Sequence, residues 1–171
     1  LTASPFIIDT TGPILEEVTA VPTPTNDNTS SYTFSSNEPG TITYGGGCSS
    51  TTDNATTNNN AIIFNELADN DYNNCTITVA DNLSNTSTLE VRDFTIDTVK
   101  PVLAEVTAVT TPTNDATPEY SFSSTEAGTK SYGGSCGSSS TSATNSGLDN
   151  VTITLTQPDN STALSDNTSY S

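Results

Sequence analysis

The chain has 171 residues with 20 acidic and 3 basic side chains, so its formal charge is −17, and it contains no histidine. This charge argues against a nucleic-acid backbone or an anionic membrane surface as a partner. The missing histidine removes the usual general base and the commonest nitrogen ligand of zinc, so we predict that the protein is not an enzyme. No apolar run approaches the roughly 18 residues of a spanning helix, so membrane insertion is not predicted.

A long segment of the sequence occurs twice. Pro13 and Pro101 lie 88 residues apart, and at this offset residues 9–48 match residues 97–136 at 26 of 40 positions without a gap. Such self-similarity predicts a tandem array. We expect the last strand of a preceding repeat, or a donor strand, at 1–9. A complete domain is predicted at 10–97, and a second domain that stops before its last strands at 98–171.

Alternating apolar residues between turn signals predict the strands of the first repeat. In chain order these strands are 14–21, 31–35, 41–44, 61–64, 75–79 and 88–96. The stretch 49–60 is predicted to be a long surface connection or a weak edge strand, and 67–71 a turn. Within the last strand the buried parity changes, so a bulge is expected near Arg92 and Asp93.

The spacing of these elements predicts the fold class. About seven strands in fewer than 90 residues, with turns at regular intervals, are typical of an all-β immunoglobulin-like sandwich. The second repeat follows the same pattern from Val102. It contains ten additional residues, which we expect around 154–165.

The three cysteines predict one disulfide bond per repeat. Cys48 follows one core strand and Cys75 begins another, and in a sandwich of this topology these ends can be neighbours. A disulfide closing 27 residues would stabilise the domain by roughly 3 kcal/mol. The alternative is a pair of buried free thiols in a reducing compartment. The composition is typical of an exported protein, and disulfides persist outside the cell, so the bond is favoured. Cys136 is expected to pair with a cysteine beyond Ser171.

Acidic and amide side chains mark the predicted joints between domains. Oxygen ligands converging from several turns are what Ca²⁺ requires, and a bound ion would stiffen a joint. The alternative is that the same residues are ordinary turn formers and solvated charges. The candidate ligands of this interdomain calcium site are Asn26, Asp27, Asp69, Asp71, Asp97 and Glu126.

Four segments carry a family resemblance. They are IDTTGP at 8–13, TPTNDNTSSYTFSS at 23–36, GTITYGGGC at 40–48 and CTITVADNLSNTS at 75–87. With these segments the chain resembles the tandem bacterial immunoglobulin-like repeats of large surface and adhesin proteins. The resemblance implies a stalk or fibre outside the cell, with neighbouring repeats as partners and surface ligands of a host or a neighbouring cell at its tip.

Two other functions remain open on the sequence. The chain could be a filament subunit, in which residues 1–9 of an identical neighbour complete the second domain by strand addition. It could instead be an adhesin module that binds a glycan or a protein through loops such as 49–60 or 154–165.

Overall fold

The computed structural model describes residues 7–140, 150–166 and 168–170. Regular structure in these ranges consists of strands, which confirms the predicted all-β class. Among the same residues, no helix has the length and apolar character needed to cross a membrane. The chain divides into two compact units, Leu1–Val99 and Lys100–Ser171.

The first unit holds nine strands in the described residues. They are β1 (Leu15–Thr19), β2 (Ser31–Ser36), β3 (Gly40–Gly45), β4 (Asn54–Ala55), β5 (Asn58–Ile63), β6 (Asn70–Tyr72), β7 (Thr76–Ala80), β8 (Thr86–Glu90) and β9 (Phe94–Ile96). They form one sheet of order β1-β2-β5, another of order β4-β3-β7-β8, and the pair β6-β9. All these pairings are antiparallel.

The core of the first unit lies between the two larger sheets. Along β2 and β7 every second side chain points inward, so Tyr32, Phe34, Ile77 and Val79 are fully buried. Side chains from both sheets belong to one hydrophobic cluster, an arrangement consistent with a β-sandwich. Burying each of these large side chains contributes about 1.5–3 kcal/mol, which is how a sequence of low apolar content still forms a core.

The stretch 88–96 differs from the prediction. It divides into β8, which pairs with β7, and β9, which pairs with β6 in a different sheet. Val91 and Phe94 are both buried although they stand in opposite parities. The parity change therefore marks a change of sheet rather than the predicted bulge. A register shift occurs instead in β1, between Glu17 and Thr19.

Two short strands, β4 and β6, lie in stretches for which the local composition predicted a connection or a turn. The segment 49–60 contains β4 and the start of β5, so the weak edge strand was the better of the two alternatives. The predicted turn at 67–71 overlaps β6, because Asn70 and Asp71 pair with β9. Tertiary pairing has overridden turn propensity there.

The N-terminal stretch that was predicted to be a strand lies partly outside the described residues. Residues 7–14 contain no strand, and residues 1–6 are not described. The side chains of Ile7 and Ile8 are 95% and 75% exposed.

The second unit repeats the first two strands in detail. Its strands in the described residues are β10 (Leu103–Thr107), β11 (Glu119–Ser124) and β12 (Asn150–Thr154), which form one sheet of order β10-β11-β12. The register of β10 on β11 equals that of β1 on β2, with the same shift between Glu105 and Thr107.

The inserted residues of the second unit are not all where we expected them. Ile153 lies opposite Tyr120 as Ile62 lies opposite Tyr32, so β12 follows β5 by 91 residues rather than 88. Three of the ten additional residues therefore precede β12. They fall between Cys136 and Asn150, where residues 141–149 are outside the described ranges.

Candidate functional site

Cys48 and Cys75 form a disulfide bond, which confirms the pairing predicted for the first unit. The pairing of Gly45 with Thr76 brings the end of β3 beside the start of β7, and the two cysteine Cα atoms lie 5.3 Å apart. Both cysteines are buried, with 5% and 2% of their surfaces exposed. The bond ties two neighbouring strands of one sheet.

The third cysteine keeps the local geometry of the first. Gly134 has a φ of +72°, as its counterpart Gly46 has +71°, so the chain makes the same left-handed turn two residues before each cysteine. Cys136 is a free thiol of intermediate exposure. It borders a cavity of about 330 Å³ that Tyr132 and Pro158 also line. Its pairing with a cysteine beyond Ser171 stays a prediction.

The predicted calcium ligands of the first unit stand on neighbouring segments. Hydrogen bonds from the Thr25 amide to the Thr95 carbonyl and from the Asp97 amide to the Thr25 carbonyl join the first turn to β9. Because Asp71 lies opposite Thr95 in the β6-β9 pair, the turn before Cys75 reaches the same end of the unit. Glu126 belongs to the second unit.

Each predicted carboxylate in the first unit accepts a hydrogen bond. The Asp27 carboxylate accepts from the Thr29 amide at 3.0 Å. Asp69 accepts from the Thr98 hydroxyl at 2.8 Å, Asp71 from the Thr95 hydroxyl at 2.6 Å, and Asp97 from the Val99 amide at 3.2 Å. Asn26 is exposed. The contacts of Asp27 and Asp97 are those of turn residues, whereas Asp69 and Asp71 accept from residues 29 and 24 positions away. All four carboxylates keep further lone pairs for a cation, so the calcium site stays a prediction.

Sequence reasoning missed a tighter acidic group at the other end of β2. The ligand oxygens of Asp9, Glu38 and Asp81 lie within 4.8 Å of one another, and within the described ranges the predicted aspartates form no such group. Glu38 stands in the turn from β2 to β3, and Asp81 follows β7, which pairs with β3. We name Asp9, Glu38 and Asp81 the acidic trio.

Asp81 is the most constrained member of the trio. Its carboxylate accepts from the Leu83 amide at 2.7 Å and from the Asn85 amide and side chain, both at 2.8 Å. Burial alone would raise the pKa of Asp81, but the hydrogen bonds from Asn85 and Leu83 outweigh it and lower that pKa. Asp81 is therefore a charged residue that organises the turn from β7 to β8.

The 88-residue offset is the signal that could have identified two members of the trio. Asp9 corresponds to Asp97 and Glu38 to Glu126, and both counterparts were among the predicted ligands. The prediction thus selected two of the three positions, but in the other copy of the repeat. Asp81 was missed because its role depends on the β7–β8 turn, which the sequence matched to no counterpart.

A second charged contact lies at the edge of the core. The Tyr32 hydroxyl donates to the Glu17 carboxylate at 3.3 Å, and Arg92 forms an ion pair with Glu17 at 2.9 Å. Burial, followed by the charge and hydrogen bond of Glu17, raises the pKa of Tyr32 well above its ordinary value. Arg92 thereby fastens the connection between β8 and β9 to β1.

Comparison with known proteins gives no match for this chain among protein-family models, curated proteins or solved structures.

Proposed function

We propose that this chain is part of a non-catalytic, tandem immunoglobulin-like repeat of an extracellular bacterial surface protein, forming a stalk or fibre that extends an adhesive or other tip. The observation that carries this proposal is the repetition of β1 and β2 by β10 and β11, down to the same register shift. Modules that repeat at a fixed period are the building units of extended arrays.

Two further observations support an extracellular position. A buried disulfide persists in oxidising environments and is rare in a reducing cytosol. The charge of −17 keeps an exposed chain soluble and repels other acidic chains.

Small-angle scattering on versions with two and three copies of residues 10–97 tests the stalk. The maximum particle dimension should increase by a constant length for each added copy. A three-copy particle as compact as the two-copy particle would contradict the proposal. Labelling of intact cells with a membrane-impermeant reagent tests the extracellular position, and label found only after lysis would exclude it.

Calcium at the joints is part of the proposal. Calorimetric titration of the 171-residue chain with CaCl₂ measures it, and Asp71→Asn and Glu38→Gln distinguish the predicted ligands from the acidic trio. We expect saturable heat of binding that Asp71→Asn reduces and Glu38→Gln retains. The reverse result would place the ion at the acidic trio and not at a joint. Titration without saturable heat would remove calcium from the proposal.

A filament subunit is the second candidate, favoured by the exposure of Ile7 and Ile8. A strand with two adjacent apolar side chains could add to a neighbour's sheet. Light scattering of the purified chain separates the two functions, because a filament subunit forms concentration-dependent polymers. Deletion of residues 1–8, which retains Asp9 of the acidic trio, should abolish those polymers and leave a stalk module unchanged.

A further inference from the structure

In the part of the second unit that the structure describes, no strand covers one apolar face of the sheet. Tyr32 and Phe34 are fully buried in the first unit, whereas their counterparts Tyr120 and Phe122 are of intermediate exposure. Leu103 on β10 is 64% exposed. These side chains border a groove of about 490 Å³, which Ile153 and Leu155 also line. We name this feature the apolar groove.

The first unit shows what covers the equivalent surface. There the segment Cys75–Ile96 supplies β7, β8 and β9. The side chains of Ile77, Val79 and Ile96 on this segment are 0–1% exposed and join the cluster that contains Tyr32 and Phe34. β7 reaches that position by pairing with β3, from Thr41 opposite Ala80 to Gly45 opposite Thr76.

In the second unit, residues 129–133 correspond to Thr41–Gly45, the part of β3 that pairs with β7. These residues are not in a strand, and no described strand of the second unit pairs with them. A Cβ placed on Gly45 would meet the Thr76 hydroxyl oxygen of β7 at 2.5 Å, whereas a Cβ placed on Gly133 would meet no heavy atom of the described residues within 4 Å. A glycine therefore lies where a neighbouring strand comes close in the first unit, and no described residue occupies the corresponding space in the second.

The negative charge at the apolar groove is complementary to an arginine of the same segment. Glu17 contacts Arg92, which the covering segment supplies in the first unit. Glu105 is the counterpart of Glu17 and lines the apolar groove beside Tyr120. An occupant with arginine at the matching position would bring a cation to this carboxylate, as Arg92 does in the first unit.

Cys136 lies at the position where a disulfide to the covering segment would form. Its counterpart Cys48 is bonded to Cys75, the first residue of the covering segment. Cys136 carries a free thiol and borders the cavity described above. An occupant that begins with cysteine would place a second thiol beside it.

We propose that the apolar groove is a docking site for one occupant, a cysteine-led segment with the residue pattern of Cys75–Ile96, whose first strand pairs with residues 129–133 and whose cysteine is bonded to Cys136. In the covalent step the two thiols form one sulfur–sulfur bond. A low-molecular-weight disulfide accepts their two electrons and two protons and leaves as two thiols. Both proposals use the internal repeat, but docking concerns only the groove of the second unit, so its failure would leave the stalk proposal standing.

A synthetic peptide with the sequence of residues 75–96 tests the docking site on the 171-residue chain in a buffer of reduced and oxidised glutathione. We expect a one-to-one adduct at Cys136, identified by mass spectrometry of proteolytic fragments. Hydrogen exchange should slow at residues 129–133, with the peptide's Thr76 opposite Gly133. Docking without protection at 129–133 would overturn the proposal.

The matched control is the same peptide with Ile77→Ser and Val79→Ser, which keeps the cysteine. Losing two buried apolar side chains should reduce the adduct yield at least tenfold, since each tenfold change corresponds to about 1.4 kcal/mol. Equal yields from both peptides would show a merely reactive thiol and overturn the proposal.

A protein variant separates docking from thiol chemistry. Cys136→Ser should still show slowed exchange at 129–133 with excess peptide, although no adduct can form. Two other occupants would overturn the proposal: the N-terminal stretch of a second copy, seen as slowed exchange at residues 7–9 in a polymer, and self-association of two grooves that excludes the peptide.

Discussion

The disulfide between Cys48 and Cys75 joins the end of β3 to the start of β7, and the two Cα atoms lie 5.3 Å apart. Because β3 and β7 are neighbours in one sheet, the bond lies within a sheet and not between sheets. The two strands are already held together by five paired positions. The bond acts mainly by restricting the unfolded chain, because it closes a loop of 27 residues.

Replacing both cysteines by alanine should therefore lower the free energy of unfolding of the first unit by roughly 3 kcal/mol. Hydrogen exchange of the β7 amides under mild denaturant measures this unit specifically. Cys136→Ala is the matched control and should change the value by less than about 0.5 kcal/mol, because that thiol makes no bond. Equal stability of the double variant and the native chain would contradict the prediction.

Asn60 should stabilise the turn between β4 and β5. Its side-chain oxygen accepts from the Thr56 amide at 2.7 Å, and its nitrogen donates to the Thr56 and Asn58 carbonyls, both at 2.9 Å. Because Asn60 is only 8% exposed, Asn60→Ala leaves these backbone groups poorly satisfied, and we expect a loss of about 1–3 kcal/mol. Denaturant unfolding monitored at Tyr32 resonances measures it.

The neighbouring Asn59 provides the control for that substitution. It is exposed on the same strand, so Asn59→Ala should alter stability by less than about 0.5 kcal/mol. If the two variants unfold at the same denaturant concentration, the hydrogen bonds of Asn60 contribute nothing measurable.

Asp81 should make the first unit sensitive to acid. Hydrogen bonds lower its pKa in the folded state, so it contributes stability that is present above the ordinary aspartate value of about 3.9 and is lost as the pH falls through the folded pKa. Asp81→Asn should weaken the unit at neutral pH and reduce the steepness of its acid transition. Thermal unfolding at a series of pH values between about 2 and 6 measures both effects.

Asp93→Asn is the matched control, because it removes the same charge from an exposed residue of the same unit. It should leave the steepness of the acid transition unchanged. An acid transition of Asp81→Asn that overlays that of Asp93→Asn would show that the turn hydrogen bonds do not control the pH dependence.

The sequence predicted those features that depend on local alternation and on the repeat. Alternation placed Tyr32, Phe34, Ile77 and Val79 inward, and the sandwich topology predicted from the strand spacing made the ends that carry Cys48 and Cys75 neighbours. The change of sheet between β8 and β9 was not predictable, because a reversal of buried parity has the same appearance whether a strand bulges or leaves its sheet.

The acidic trio was not predictable from the sequence, for a different reason. Asp9, Glu38 and Asp81 come from three separate turns, and their proximity depends on the pairing of β3 with β7 and on the entry of the chain into the unit. Pattern within one segment carries no information on such distances. Only the offset of 88 residues indicated that Asp9 and Glu38 belong together, through their counterparts Asp97 and Glu126.

The two copies of one core phenylalanine provide the final prediction. Phe34 is fully buried, so Phe34→Ala should cost the first unit about 3–5 kcal/mol. Phe122 occupies the same position on β11 but is only half-buried beside the apolar groove. Phe122→Ala should therefore cost the second unit about half as much, since less apolar surface leaves water there.

Residue-resolved hydrogen exchange measures the two units separately in one sample, with β2 amides reporting on the first and β11 amides on the second. Each variant should leave the unmutated unit unchanged, which serves as the internal control. A cost for Phe122→Ala as large as that for Phe34→Ala would mean that the second unit buries its core in solution, and that no groove is open to an occupant.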